Sequence, residues 1–180
     1  MLGLSTKKEL HLSILKTACL TGHRPSKLPW GYDETKESCI RFKENLKNTL
    51  AQAINYGIKN FLTGMAEGFD MIATEILIEL RKQYKEISII AIIPCKNQEK
   101  YWSPIQKERY HKILKCCDDY VILSDIYTPT CMIERNKYMV DKSSIVIACY
   151  NGQPSGTGKT INYALTSHCD VKIINPTHYK

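Results

Sequence analysis

The chain has 180 residues, 43% hydrophobic and 24% charged, with a formal charge of +7 at neutral pH. That length suits one compact domain that buries its core without covalent staples, and the composition excludes wholesale disorder. No apolar run approaches the roughly 20 residues that span a bilayer, and the mild basicity fits an anionic partner as well as an ordinary solvated surface.

Residues 1–16 read as an N-terminal extension, its first ten or so loosely held, and residues 17–180 as a single domain. Lys7 and Lys8 precede only a weakly apolar stretch that Lys16 interrupts, so no signal peptide is read there. The eight cysteines form no C-x-x-C pair and several sit inside apolar runs. They are expected to be reduced thiols in a cytoplasmic protein. The five histidines show no ligand spacing, and no metal is expected.

From there short apolar runs alternate with amphipathic stretches. Thr17–Thr21 reads as a first strand ending at Gly22. Residues 34–56 have helical spacing through Ile40, Leu46, Leu50, Ala53 and Ile54, with Gly57 placed to stop the helix. A strand at 60–63 and a helix at 69–84 follow, the latter with Ile72, Ile76, Leu77 and Leu80 on one face. Residues 88–93 are almost wholly apolar, the mark of a strand covered on both sides. Then come a helix at 104–117, a strand at 120–123, a helix at 131–142, a strand at 144–150, a helix at 160–168 and a strand at 171–174. Six strands alternating with five helices predict an α/β fold, a three-layer Rossmann-like sandwich around a mostly parallel six-stranded sheet.

Ligands of such sheets bind beyond the carboxyl ends of the strands. After the first strand stand Thr21, Gly22, His23 and Arg24. Gly22 permits close backbone approach, Arg24 suits a phosphate in a bidentate fork, and His23 can donate to an anion or stack on a base; a plain turn with solvated side chains is the alternative. After the second strand, Gly64, Glu67 and Gly68 open into a helix. The Glu67 carboxylate suits ribose hydroxyls rather than phosphate, and Asp70 reads as a helix cap.

After the fifth strand, Asn151 leads to Gly156, Thr157, Gly158, Lys159 and Thr160. The last three look like the end of a Walker A motif, but Gln153 occupies the place of its first glycine. What remains is a Gly/Ser/Thr loop before a helix start, a cradle for phosphate without the signs of NTP hydrolysis. Arg135 either points back into this region or pairs on the surface. Tyr101 and Trp102 form either an aromatic lid or a loop anchor. The basic residues are scattered, so nucleic acid is not the favoured partner.

T-G-H-R-P at 21–25, T-G-M-A-x-G-F-D at 63–70, Arg135-Asn136 with Met139-Val140-Asp141, and G-T-G-K-T at 156–160 together resemble the YpsA-like (DUF1273) family of the SLOG superfamily. The resemblance covers about 17–176 and extends to the DNA-processing protein DprA and LOG-type proteins. It implies a pocket for a nucleotide-derived ligand, NAD- or ADP-ribose-like, ringed by the loops after strands one, two and five. A binding protein with a sensing or regulatory role is the first reading. The alternative it implies is a nucleotide N-glycosidase, a phosphoribohydrolase-like enzyme with Glu67 as the catalytic carboxylate and Arg24 and Arg135 clamping phosphate. Related hydrolases carry M-x-x-R-K and P-G-G-x-G-T-x-x-E. Here Met132 and Arg135 are kept, but Asn162 stands where the glutamate would be, and an amide can neither activate water nor stabilise a cationic sugar as a carboxylate does. No cofactor beyond that ligand is implied, and a homo-oligomer stays open.

Overall fold

The computed structural model describes residues 10–179. Six strands, β1 (Thr17–Gly22), β2 (Asn60–Thr63), β3 (Ser88–Ile93), β4 (Asp119–Ile122), β5 (Ile145–Cys149) and β6 (Asp170–Ile174), form one sheet in the order β4-β3-β2-β1-β5-β6. All five pairings are parallel. Between the strands lie α1 (Glu37–Asn55), α2 (Phe69–Leu80), α3 (Pro104–Leu114), α4 (Cys131–Asp141) and α5 (Gly156–Thr166). The predicted α/β sandwich is therefore present, with its sheet wholly parallel.

Strand side chains alternate between the two faces. Ala18 and Leu20 of β1, Phe61 of β2, Ile89 of β3 and Ile147 of β5 pack under α1 and α2. Cys19, Leu62, Ile90 and Val146, one position on, pack instead against Met139 and Val140 of α4 and Ile161 and Ala164 of α5. Ala91 and Ile93 continue the first face beneath Tyr110 and Ile113 of α3. Fully buried Phe42, Leu46 and Leu50 mark the inner stripe of α1; truncating such a residue to alanine costs about 2–5 kcal/mol. Gly57 (φ +100°) ends α1, its N–H donating to Ile54 O and that of Ile58 to Ala53 O, a Schellman closure that spends the last carbonyls.

Several boundaries differ from the sequence reading. The first helix begins at Glu37 rather than 34, because Thr35 turns back on Asp33 Oδ1 and Glu34 is drawn to Arg109. The second ends at Leu80, where two further turns replace the expected last turn. The fifth begins at Gly156 rather than 160, with Ser155 as its N-cap accepting from Gly158 N at 3.1 Å. Of the expected loose tail, residues 1–9 lie outside the described residues. Leu10 is buried with the α4/α5 core, and its carbonyl accepts from Lys142 Nζ. No described helix is long and apolar enough to cross a membrane.

Strands β1 to β4 run outward to one side and β5 and β6 to the other. The order reverses between β1 and β5, whose following helices pack on opposite faces of the sheet. A crevice opens where such connections part.

Candidate functional site

That crevice is a cleft of about 240 Å³. Its lining comes from the turn after β1 (Thr21 to Arg24, Ser26, Lys27), from Ala66 and Asp70 after β2, from Met132, Arg135 and Asn136 of α4, and from Ser155, Gly156 and Thr157 at the start of α5. The three turns singled out in the sequence thus meet at one rim.

His23 ties them together. Its N–H donates to Cys149 O, its carbonyl accepts from Phe69 N, and its Nε2 lies 2.8 Å from Asn151 Oδ1. Nε2 also lies 3.2 Å from the Asn151 backbone N–H, which donates to it in the tautomer that leaves Nε2 unprotonated, while Asn151 Oδ1 accepts from Gln153 N. Burial pushes the His23 pKa down, against the opposing pull of the Asn151 hydrogen bond. Gly68 (φ +88°) sits where a Cβ would meet His23 O at 2.6 Å, and a Cβ on Gly22 would strike the Phe69 ring at 2.4 Å. These two glycines bring the turns into contact with each other.

A hydrogen-bonded chain joins the end of β2 to the start of α5. Arg135 Nη1 donates to Gly64 O at 2.5 Å, and Arg135 Nε donates to Asn136 Oδ1 at 2.8 Å. Asn136 Nδ2 donates to Thr160 Oγ1, which donates to Gly156 O. Gly64 is required because a Cβ there would lie 2.0 Å from Arg135 Nη1. Gly64 and Thr160 therefore position the rim rather than line it. Gly158 packs against the Tyr150 hydroxyl, and Lys159 is exposed outside the cleft.

Gly156 and Thr157 occupy the first two helical positions of α5, and their N–H groups have no partner among the described residues. Such orphan donors carry the positive end of the helix dipole. Lys27 Nζ donates to Pro154 O at 2.9 Å, tying the turn after β1 to the segment before α5. Arg24 is partly exposed, its guanidinium 5.9 Å from the Trp102 ring centroid. Trp102 itself packs edge-on against Tyr110, the anchor alternative, whereas Tyr101 is 89% exposed.

Two carboxylates fall differently from the sequence reading. Glu67 does not line the cleft; its Oε1 accepts from Tyr32 Oη at 3.3 Å and its Oε2 stands 4.0 Å from Arg24 Nη1. Asp70 is not the cap of α2, a place taken by Gly68. It is 4% exposed, lines the cleft, and accepts from Ala66 N through Oδ2. Burial pushes its carboxyl pKa up, with the charges of Arg135 and Arg24 and the Ala66 hydrogen bond pulling the other way. Asn162 is exposed on α5 and outside the cleft.

The cleft continues in two directions. Between α4 and α5 a largely apolar groove of about 350 Å³ shares Met132, Asn136 and Gly156 with it. On the other side a groove of about 590 Å³, reached past Met132, gathers Lys96, Lys100, Tyr101 and Tyr127.

Comparisons with known proteins agree with this architecture. A family model described as the YspA SLOG family matches residues 18–177. The chain is 31% identical over 138 residues to the SPbeta prophage-derived protein YoqJ of Bacillus subtilis (strain 168), spanning 69% of this chain and 81% of that one. It is 24% identical over 147 residues to the UPF0398 protein YpsA of the same organism, spanning 81% of each. Among solved structures, DNA processing protein A from Helicobacter pylori, described for its single-stranded DNA binding mode, superposes with a TM-score of 0.59 at 16% identity, over 92% of this chain and 70% of that one. DprA from Streptococcus pneumoniae superposes with a TM-score of 0.56 at 18% identity, over 88% and 50%. At these identities the two structures share the fold with this chain.

Proposed function

The chain belongs to the YspA SLOG family, and from that premise we propose that it binds a phosphorylated, nucleotide-derived small molecule in the cleft, as a sensor or regulatory protein. The observation that carries this reading is a set of anion-binding groups gathered on one rim. The free N–H groups of Gly156 and Thr157 stand at a helix start, and Arg24 and Lys27 line the same small cleft. Hydrogen bonds to a charged group contribute about 1.5–3 kcal/mol each, so two or three suffice for a specific phosphate site. Glycosidase chemistry finds less support, because the expected carboxylate, Glu67, is engaged with Tyr32 outside the cleft.

Titration calorimetry with AMP, ADP-ribose and NAD tests the proposal. At least one is expected to bind and to be recovered intact by chromatography. Arg24→Ala should weaken that binding about tenfold, the loss of one charge-assisted hydrogen bond, with the melting temperature nearly unchanged. No binding by any of the three, or affinity indifferent to Arg24, would overturn it, and release of free base would replace the sensor with an enzyme.

A second reading, single-stranded nucleic acid, draws on the groove beside Met132. It sets Lys100, and Lys96 in its ion pair with Asp125, beside the exposed rings of Tyr101 and Tyr127, a basic and stacking surface of the kind that single strands use. A gel shift with single-stranded DNA that weakens steeply with salt and is lost in Tyr101→Ala would favour it over the small molecule.

A further inference from the structure

Asp70 and Arg135 are opposite charges, 4% and 5% exposed, that line one cleft and yet form no ion pair within 4.0 Å among the described residues. Buried opposite charges ordinarily close on each other, since each left alone carries a large desolvation cost. Here each is held back. Arg135 is committed to Gly64 O and Asn136 Oδ1, and Asp70 to Ala66 N. Asp70 Oδ1 and Arg135 Nη2 are left with no protein hydrogen-bond partner, both in residues that face the cleft.

The chemistry of what completes this pair is narrow. A phosphate satisfies the guanidinium but is repelled by the carboxylate, and an amine does the reverse. A neutral hydroxyl suits both, because it can donate to a carboxylate and accept from a guanidinium. The cleft also carries the anion donors at the start of α5, so the occupant offers a phosphate and a hydroxyl on one small body. We infer that Asp70 and Arg135 form a hydroxyl-recognition pair that selects the ribose form of the phosphorylated ligand over its deoxy forms. This rests on the proposed function and adds to it the group that reads the sugar. The role assigned to Glu67 from sequence thus passes to Asp70, three residues on.

The test compares AMP, 2′,3′-dideoxy-AMP and inorganic pyrophosphate by calorimetry, on the wild-type protein and on Asp70→Asn. The asparagine keeps an oxygen for Ala66 N but loses the charge. In the wild type, AMP is expected to bind about tenfold or more tightly than the dideoxy compound, the value of one hydrogen bond to a charged group. In Asp70→Asn that ratio should fall to near one, with pyrophosphate bound no more weakly than by the wild type, since the carboxylate that repels it is gone. Equal binding of AMP and dideoxy-AMP to the wild type overturns the inference and leaves the proposed function standing, and this arm needs no variant to fold. A ratio that persists in a folded Asp70→Asn also overturns it. Failure of all three probes to bind the wild type removes the proposed function and the inference together.

Discussion

Two hollows on this molecule differ in size and in what lines them. The larger, about 740 Å³, is a trough between α1 and the β6 edge, lined by polar residues such as Asn45, Asn48, Gln52 and Lys172. The smaller, about 240 Å³, is the cleft at the reversal of strand order. Every side chain named in the trough is exposed, and water serves it without cost. The cleft holds buried Asp70, Arg135, His23 and Thr157 beside a helix start with unspent N–H groups. Burying polar and charged side chains is expensive in free energy, and the cleft concentrates them where the trough does not.

The largest expected effect that sharpens this contrast comes from Gly64→Ala. A Cβ there would lie 2.0 Å from Arg135 Nη1, forcing the arginine out of its buried seat. We expect a stability loss of about 3 kcal/mol, the upper range for overpacking, together with loss of AMP binding. Denaturant unfolding checks the first and calorimetry the second; a stable Gly64→Ala protein with intact binding would break the account of the rim.

A smaller effect is expected from acid. The His23 pKa is depressed below its ordinary value of 6.5 by burial, so the unfolded chain takes up a proton that the native state resists. Stability should therefore fall as pH drops from about 6.5 through the native His23 pKa. Asp70, its pKa raised by burial, has the opposite sign, favouring the fold at acid pH and losing that contribution as pH rises through its native pKa. Melting curves of the wild type and His23→Gln between pH 7 and 5 separate the two. The variant should show a shallower decline, and parallel curves would remove the buried His23 imidazole as a source of the acid sensitivity.

The smallest effect should come from the trough. Asn48→Ala is expected to change stability by no more than about 0.5 kcal/mol, as for surface substitutions generally, and to leave AMP affinity unchanged. An affinity loss there would move the functional surface to the larger hollow.

The strands were legible because each is a short apolar run ended by turn residues, as in Ser88–Ile93 before Pro94. Their order was not, because it depends on where each crossover returns, and no local pattern encodes that. The start of α5 was misplaced because Gly156 and Gly158 are poor helix formers, although Ser155 three residues before Gly158 was a usable N-cap signal. In the candidate site, the turns and Arg135 could be read from strand ends and residue type. The division of labour between Glu67 and Asp70 could not. Glu67 is held by Tyr32, 35 residues away, and by Arg24, while Asp70 looks like any acid in a first helical turn.

A crystal structure of the protein with AMP tests the central claim most directly. The account predicts phosphate oxygens within hydrogen-bonding distance of Gly156 N or Thr157 N, and a ribose hydroxyl between Asp70 and Arg135. AMP seated in the trough beside Asn48 and Lys172, with the cleft holding only water, would contradict it.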